Sequence, residues 1–173
     1  MDEKLLKSWQ AEETPAMSKA FVTEVEDRVG TTLPDGFKYI MTHFSPLYLD
    51  ETKTFEVDWR RIDHEPLSVE EQEDFERTFG IRAFSDEATL RKEISFLLDT
   101  PPCVTPKNLI PVATDMSGMY LLMDLSPEKH GTIWAWFPSS DPWGQENNMY
   151  IGFMADSYED FLFNRMQEPP EDW

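Results

Sequence analysis

Residues 109–137 read LIPVATDMSGMYLLMDLSPEKHGTIWAWF and contain three short apolar runs, at 109–113, 119–125 and 132–137. The segments between them, DMSG at 115–118 and Ser126-Pro127, are rich in turn-forming residues. A fourth run at 149–154 follows the turn sequence DPWG at 141–144. Four strands so close together along the chain predict an antiparallel meander.

Before residue 109 the apolar residues mostly repeat with the period of a helix. Phe21, Val25 and Val29 recur every fourth residue, and Gly30 is placed to end a helix that starts near residue 17. A second helix is expected to start at Leu33-Pro34-Asp35, because proline suits the first turn. Its predicted buried face consists of Phe37, Ile40, Met41 and Phe44.

Three more helices and one strand are expected from similar signals. A capping box at Ser68 predicts a short helix that carries Phe75 and Phe79 and stops at Gly80. We expect the other two helices to run from an N-cap at Ser85 to Leu98 and from an N-cap at Asp156 to Met166. Residues 54–59 alternate like a strand, with apolar side chains at Phe55, Val57 and Trp59.

These elements predict a single α+β domain with N-terminal helices, a mostly antiparallel sheet in the second half and a closing C-terminal helix. The expected boundaries are an N-terminal lead at 1–16, the domain at 17–166 and an acidic tail at 167–173. The chain has 173 residues, 40% of them hydrophobic and 13% aromatic, which is enough to bury one core.

The chain is strongly acidic, with 34 Asp and Glu against 15 Lys and Arg and a formal net charge of -19. Such a field repels nucleic acid and anionic lipid and attracts basic proteins. The sequence therefore argues against direct nucleic-acid or membrane binding and favours a basic protein partner. The simpler alternative is that the excess carboxylates only keep the protein in solution.

The start of the sequence has no basic region followed by an apolar stretch, so we expect neither a signal peptide nor a membrane span. Its one cysteine, Cys103, follows two prolines and is expected to pack or to have no role. A single cysteine fits a reducing compartment, and the expected location is the cytoplasm.

The sequence offers little that resembles a catalytic, metal or cofactor site. The seven glycines are too scattered for a phosphate-binding loop, and the three histidines have no paired spacing. Asp63-His64-Glu65 is expected to be a solvated loop. Asp124, Ser126 and His130 include the residue types of a hydrolase triad but are expected to form a hairpin turn. The expectation is a protein that is not an enzyme and has no metal and no cofactor.

Tryptophan residues in the second half raise the possibility of sugar binding. Trp134 and Trp136 share one face of a predicted strand, opposite Ile133, Ala135 and Phe137, so at least one of these sets is expected to be core or to pack against a helix. Trp143 lies in a turn and is the better candidate for an exposed anchor, with a loop staple as the alternative.

Taken in order, several segments resemble the SUKH superfamily, the Smi/Knr cell-wall-regulator-like proteins. They are VEDRVGTTLPDGF at 25–37, LIPVATDMSGMYLLMDL at 109–125, GTIWAW at 131–136 and ADSYEDFL at 155–162. The resemblance covers roughly residues 17–166. It departs from the family at 43–46, where HFSP replaces an Asn-Gly-Gly-like turn, and at 50–105, where no counterpart aligns.

The resemblance implies a cytoplasmic bacterial immunity protein that binds the catalytic domain of a polymorphic or contact-dependent toxin. The charge agrees with a basic toxin domain such as a nuclease. The alternatives are a non-catalytic scaffold or regulatory module, as in eukaryotic relatives, and a sugar- or nucleotide-binding protein or enzyme. Neither the toxin nor the oligomeric state follows from the sequence.

The predicted contact surface is the most acidic stretch of the chain together with the tryptophan of the 141–144 turn. Residues 50–76 hold 11 acidic and 3 basic residues. The predicted partner-contacting residues are Asp50, Glu51, Glu56, Asp58, Glu65, Glu70, Glu71 and Trp143.

Overall fold

The computed structural model describes residues 1–10, 14–102 and 104–170. It contains six α-helices and seven strands, and the last helix continues as a π-helical turn at Phe161–Arg165. The helices are α1 (Glu3–Trp9), α2 (Lys19–Val29), α3 (Asp35–His43), α4 (Val69–Glu73), α5 (Glu87–Asp99) and α6 (Tyr158–Asp160). The strands are β1 (Tyr48–Glu56), β2 (Asp58–Arg61), β3 (Thr78–Ala83), β4 (Leu109–Thr114), β5 (Tyr120–Asp124), β6 (Thr132–Trp136) and β7 (Tyr150–Ala155).

The second half of the chain forms the predicted antiparallel meander. Strands β4, β5, β6 and β7 are neighbours in that order, and β2 adds to the outer edge of β7. The α+β prediction and the closing helix are confirmed. Burial is nearly continuous along β4, β5 and β6, because both faces of the sheet are covered.

A second, two-stranded sheet, β1 with β3, was not predicted. The helix expected from Ser68 to Gly80 is wrong beyond Glu73, because Phe79 and Gly80 lie in β3 and pair with Phe55 and Thr54 of β1. Phe75 and Phe79 are four residues apart, a spacing that suits one face of a helix. Pairing with β1 and burial of Phe79 override that local pattern.

Two helix starts lie one residue later than predicted. Asp86, not Ser85, caps α5 and accepts a hydrogen bond from the Thr89 amide at 2.7 Å. Ser157, not Asp156, caps α6 and accepts one from the Asp160 amide at 3.0 Å. In both cases two neighbouring side chains are good N-caps, and the sequence pattern does not separate them.

Both faces of the five-stranded sheet are covered. The main core contains the buried faces of α2, α3 and α5, including Phe21, Phe37 and Ile94, against one face of the sheet. On the other face a smaller cluster includes Trp134 and Trp136, which are both buried. Ile133 and Ala135, on the opposite face of β6 from the two tryptophans, are buried in the main core. The prediction that at least one face of this strand is core is therefore confirmed, and it is true of both faces.

The chain ends pack onto this body as far as the structure describes them. Leu6 and Trp9 of α1 are buried in the main core, so the expected lead contributes to it. Gln167, in the expected tail, exchanges backbone hydrogen bonds with Thr54 at 2.8 Å. The predictions for Cys103 and for residues 171–173 fall outside the described residues. Within the described ranges no helix is long and apolar enough to cross a membrane.

Candidate protein-binding surface

Helix α4 carries much of the acidic stretch and is fixed to strand β2. The side-chain amide of Gln72 donates a hydrogen bond to the Trp59 carbonyl at 2.5 Å. The Trp59 indole in turn donates to the Glu76 carbonyl, just after the helix, at 2.8 Å. These bonds hold a five-residue helix that propensity alone would not stabilise. The carboxylates of α4 therefore stand on a defined scaffold.

The start of α4 is closed by the predicted capping box. The Ser68 hydroxyl accepts from the Glu71 amide at 3.2 Å, and the Glu71 carboxylate accepts from the Ser68 amide at 2.8 Å. These hydrogen bonds from Ser68, with the charge of Arg61, lower the pKa of Glu71. Arg61 also forms an ion pair with Glu71 at 2.6 Å. Glu71 is thus a structural residue of this surface.

Backbone hydrogen bonds in the turn between β2 and α4 bring the predicted contact residue Glu65 close to Arg61. The His64 amide donates to the Arg61 carbonyl at 2.7 Å, and the Arg61 amide donates to the Glu65 carbonyl at 2.9 Å. His64 has a positive φ of 72° and stacks edge-on against Trp134 at 4.5 Å. Burial of its ring and the charge of Lys129 lower its pKa. The side chain packs on the sheet.

Every basic residue of the acidic stretch is already paired with a carboxylate. Lys53 pairs with Glu168, Arg60 with Asp58 at 2.9 Å and Arg61 with Glu71. The other nine carboxylates of residues 50–76 are exposed and, among the described residues, have no ion-pair partner. They are Asp50, Glu51, Glu56, Asp63, Glu65, Glu70, Glu73, Asp74 and Glu76.

The predicted contact residues divide into two groups. The first group surrounds the two arginines of β2. Asp58 and Glu71 form ion pairs with them, and the Glu65 carbonyl accepts a hydrogen bond from the Arg61 amide. Glu70 precedes Glu71 on α4. The second group lies on β1, with Asp50 and Glu51 near the start of the strand and Glu56 at its end. At about 3.3 Å per residue, Asp50 and Glu56 are up to about 20 Å apart along the strand. The acidic surface is therefore extended.

Trp143 does not lie with either group as an exposed anchor. Its ring is half-buried and packs against Trp136, with ring centroids 5.1 Å apart. Trp136 belongs to the smaller cluster, which lies on the opposite face of the sheet from the main core that contains Trp59. The alternative of a loop staple describes Trp143 better.

The family of the chain follows from its match to a family model. Residues 16–164 match the model of the SMI1 / KNR4 family (SUKH-1). The chain belongs to the SUKH-1 family. The match includes residues 50–105, which the sequence comparison above left without a counterpart, so the acidic stretch lies inside the family domain.

One curated relative of this SUKH-1 chain is the SPbeta prophage-derived uncharacterized protein YokK of Bacillus subtilis (strain 168). The two are 26% identical over 156 residues, which cover 86% of this chain and 74% of the relative. No solved structure matches the chain.

The possible triad in this SUKH-1 chain forms a turn. Asp124 accepts from the Ser126 amide at 2.7 Å and from the Asn108 side chain at 2.9 Å. A ring nitrogen of His130 hydrogen-bonds the Thr32 carbonyl at 2.7 Å, which ties the β5–β6 turn to the loop before α3. Among the described residues no group of three His, Cys, Asp or Glu side chains is arranged to hold a metal ion.

Sequence reasoning missed an aromatic cavity at one end of the acidic surface. The ring of Trp59 lies within about 6 Å of those of Phe75 and Phe137, and Glu76 and Tyr150 also line the space. The signal was present in part, since the alternation of residues 54–59 predicted an inward Trp59. The alternation of residues 132–137 also placed Phe137 opposite Trp134 and Trp136, but the local pattern does not encode which distant rings it meets.

Proposed function

We propose that this SUKH-1 chain is an immunity protein that binds a basic toxin domain in the cytoplasm and blocks it by occupying its surface. Membership of SUKH-1 supports this role, because the family resemblance implies toxin immunity. The observation that carries the proposal is the set of nine exposed carboxylates without ion partners in residues 50–76. Binding alone is sufficient, so the proposed role needs no reaction catalysed by the chain.

The charge acts at two stages of binding. At long range a net charge of -19 attracts a cationic domain and raises the rate of encounter. At contact, carboxylates held by α4 and β1 accept hydrogen bonds from lysine and arginine side chains. A nuclease domain uses such side chains to grip phosphates, so a partner that occupies them competes with nucleic acid.

The direct test is neutralisation in cells. The proposal expects a toxin-like domain to be encoded beside this gene. That domain is expressed in a bacterial host from an inducible promoter, with or without this chain, and growth is measured. We expect growth to stop with the toxin domain alone and to recover when the chain is present. Toxicity that the chain leaves unchanged would contradict the proposal.

A charge-reversed variant assigns the protection to the surface. Glu70→Lys with Glu73→Lys changes two exposed carboxylates of α4 and spares Glu71, which the capping box requires. The matched control is Asp27→Lys with Glu128→Lys, also exposed and outside the acidic stretch. We expect the first variant to lose protection and the control to keep it.

The regulatory scaffold is the main alternative. It predicts a stable complex with a protein that is not toxic, and no effect of the chain on the growth of cells that express a toxin-like domain.

A further inference from the structure

We propose that the aromatic cavity beside α4 receives an arginine side chain of the protein partner. The inference deepens the proposed function and rests on it for the nature of the partner. The cavity has a volume of about 130 Å³ and lies between β2, the end of α4, β7 and the residue after β6.

Aromatic rings form the walls of the cavity. Trp59 and Phe137 are nearly parallel, with 18° between their planes and 6.1 Å between their centroids. Phe75 lies 5.7 Å from Trp59 and 4.8 Å from Tyr150. The Trp59 ring is buried in the core, whereas Phe75 and Tyr150 are half-buried and Phe137 is 37% exposed. The buried Trp59 ring is therefore the inner wall, the more exposed rings form the rim, and the cavity opens to solvent.

The charge around the cavity is negative. Glu76 lines it, and its exposed neighbours Glu73 and Asp74 have no ion-pair partner among the described residues. Of the residues that the structure describes, no lysine or arginine lines the cavity. Arg77 lines the neighbouring depression together with Glu73. A cation in the cavity would therefore meet ring faces and a carboxylate.

The size and chemistry select arginine among possible occupants. Pockets for sugars, nucleotides and other small molecules generally measure about 300–1,000 Å³, so this cavity takes a group of side-chain size. A guanidinium is flat and weakly hydrated, stacks on aromatic faces and binds carboxylates through fixed N–H donors. An aliphatic side chain would use the rings and leave the carboxylate without a role.

The test uses the purified full chain and a small probe. Nα-acetyl-arginine amide is titrated into ¹⁵N-labelled protein, and the indole N–H signal of Trp59 is followed by NMR. The control probe is the amide of Nα-acetyl-citrulline, which has nearly the same shape and no charge. We expect saturable shifts at Trp59 with arginine and at most weak shifts with citrulline.

Two variants localise the binding. Phe137→Ala removes an exposed wall and Glu76→Gln removes the carboxylate, and each should weaken arginine binding by about two- to five-fold, in line with one exposed cation–π or charge contact. The matched controls are Phe96→Ala, at an exposed phenylalanine on α5, and Glu128→Gln. Both should bind arginine as the unchanged chain does.

Equal responses to arginine and citrulline, or no saturable response at Trp59, would overturn the cavity assignment. Equal loss of binding in Glu76→Gln and Glu128→Gln would also overturn it, because the attraction would then be general. These outcomes are independent of the growth assay. Neutralisation without arginine binding refutes the cavity alone, and arginine binding without neutralisation refutes the immunity role alone.

Discussion

Gly152 is a position where a packed core side chain leaves no space for a Cβ. It lies on β7 between Trp59 of β2 and Ala135 of β6. A Cβ placed there would be 2.0 Å from a Val57 methyl group and 3.3 Å from the Ala135 Cβ. The absence of a side chain is therefore what allows the link between β1 and β2 to cross closely over the sheet.

Gly152→Ala is expected to lower the free energy of unfolding by about 1–3 kcal/mol, because the new methyl group overpacks the core against Val57. Chemical denaturation measures the change. Gly36→Ala is the matched control, since the atoms nearest its Cβ belong to the end of the half-buried Glu159 side chain, which can move. Combining Gly152→Ala with Val57→Ala should cost less than the sum of the two single changes. Strict additivity would show that this contact is not the cause.

Glu93 on α5 is a partly buried carboxyl whose ionisation opposes folding. It accepts hydrogen bonds from Thr114 at 2.7 Å and Ser85 at 3.0 Å. Burial nevertheless raises the pKa of Glu93 above its usual value, and the nearby charge of Asp86 acts in the same direction. At pH values between the pKa of Glu93 in the unfolded chain and its pKa in the folded chain, the folded state binds more protons. The free energy of unfolding therefore falls as pH rises through this interval.

Glu93→Gln should therefore gain stability relative to the unchanged chain as pH rises from just above the ordinary glutamate value of 4.5 towards neutrality. The measurement is urea denaturation across that range. Asp99→Asn, on the same helix, is the control, because a hydrogen bond from Arg28 lowers the pKa of Asp99 and both its pKa values lie below this range. Its difference from the unchanged chain should stay constant there and close only in stronger acid. A constant difference for Glu93→Gln would contradict the account.

At the scale of elements, the parts predicted from sequence are those whose pattern is local. The meander of β4 to β7 and the closing helix have short apolar runs, turn residues and caps within a few positions. Strand β3 has no such signal of its own. Its residues Thr78–Ala83 become a strand because β1, more than twenty residues earlier, offers a backbone to pair with.

The candidate surface divides in the same way. The capping box and the exposure of Glu70 follow from the sequence of α4 alone. The partners of Arg60 and Arg61, the packing of Trp143 on Trp136 and the aromatic cavity depend on contacts between distant segments. Periodicity and composition carry no information about those contacts.

Helix α1 is a short element held by two buried side chains. Leu6 is fully buried, while its neighbour Leu5 is 36% exposed. Leu6→Ala should lower the free energy of unfolding by about 2–5 kcal/mol, as expected for a cavity in a packed core. Leu5→Ala should change it by no more than about 0.5 kcal/mol. Equal small effects in denaturation would mean that α1 contributes little to the core.

At the scale of the whole molecule, internal pairing leaves the surface negative. Among the residues that the structure describes, seven of the fifteen Lys and Arg side chains form ion pairs, whereas the whole chain has 34 carboxylates. Exposed pairs of this kind contribute little to stability. The excess charge is therefore available for long-range attraction, and α4 and β1 present part of it on packed elements.

The rate of association with the toxin domain that the proposal expects beside this gene, measured by stopped flow as salt increases, tests this account most directly. We predict a fall of at least about tenfold between low and high salt. Glu70→Lys with Glu73→Lys should slow association more than Asp27→Lys with Glu128→Lys, although both variants have the same net charge. A rate that does not depend on salt, or equal slowing in the two variants, would contradict the claim that this acidic surface binds the partner.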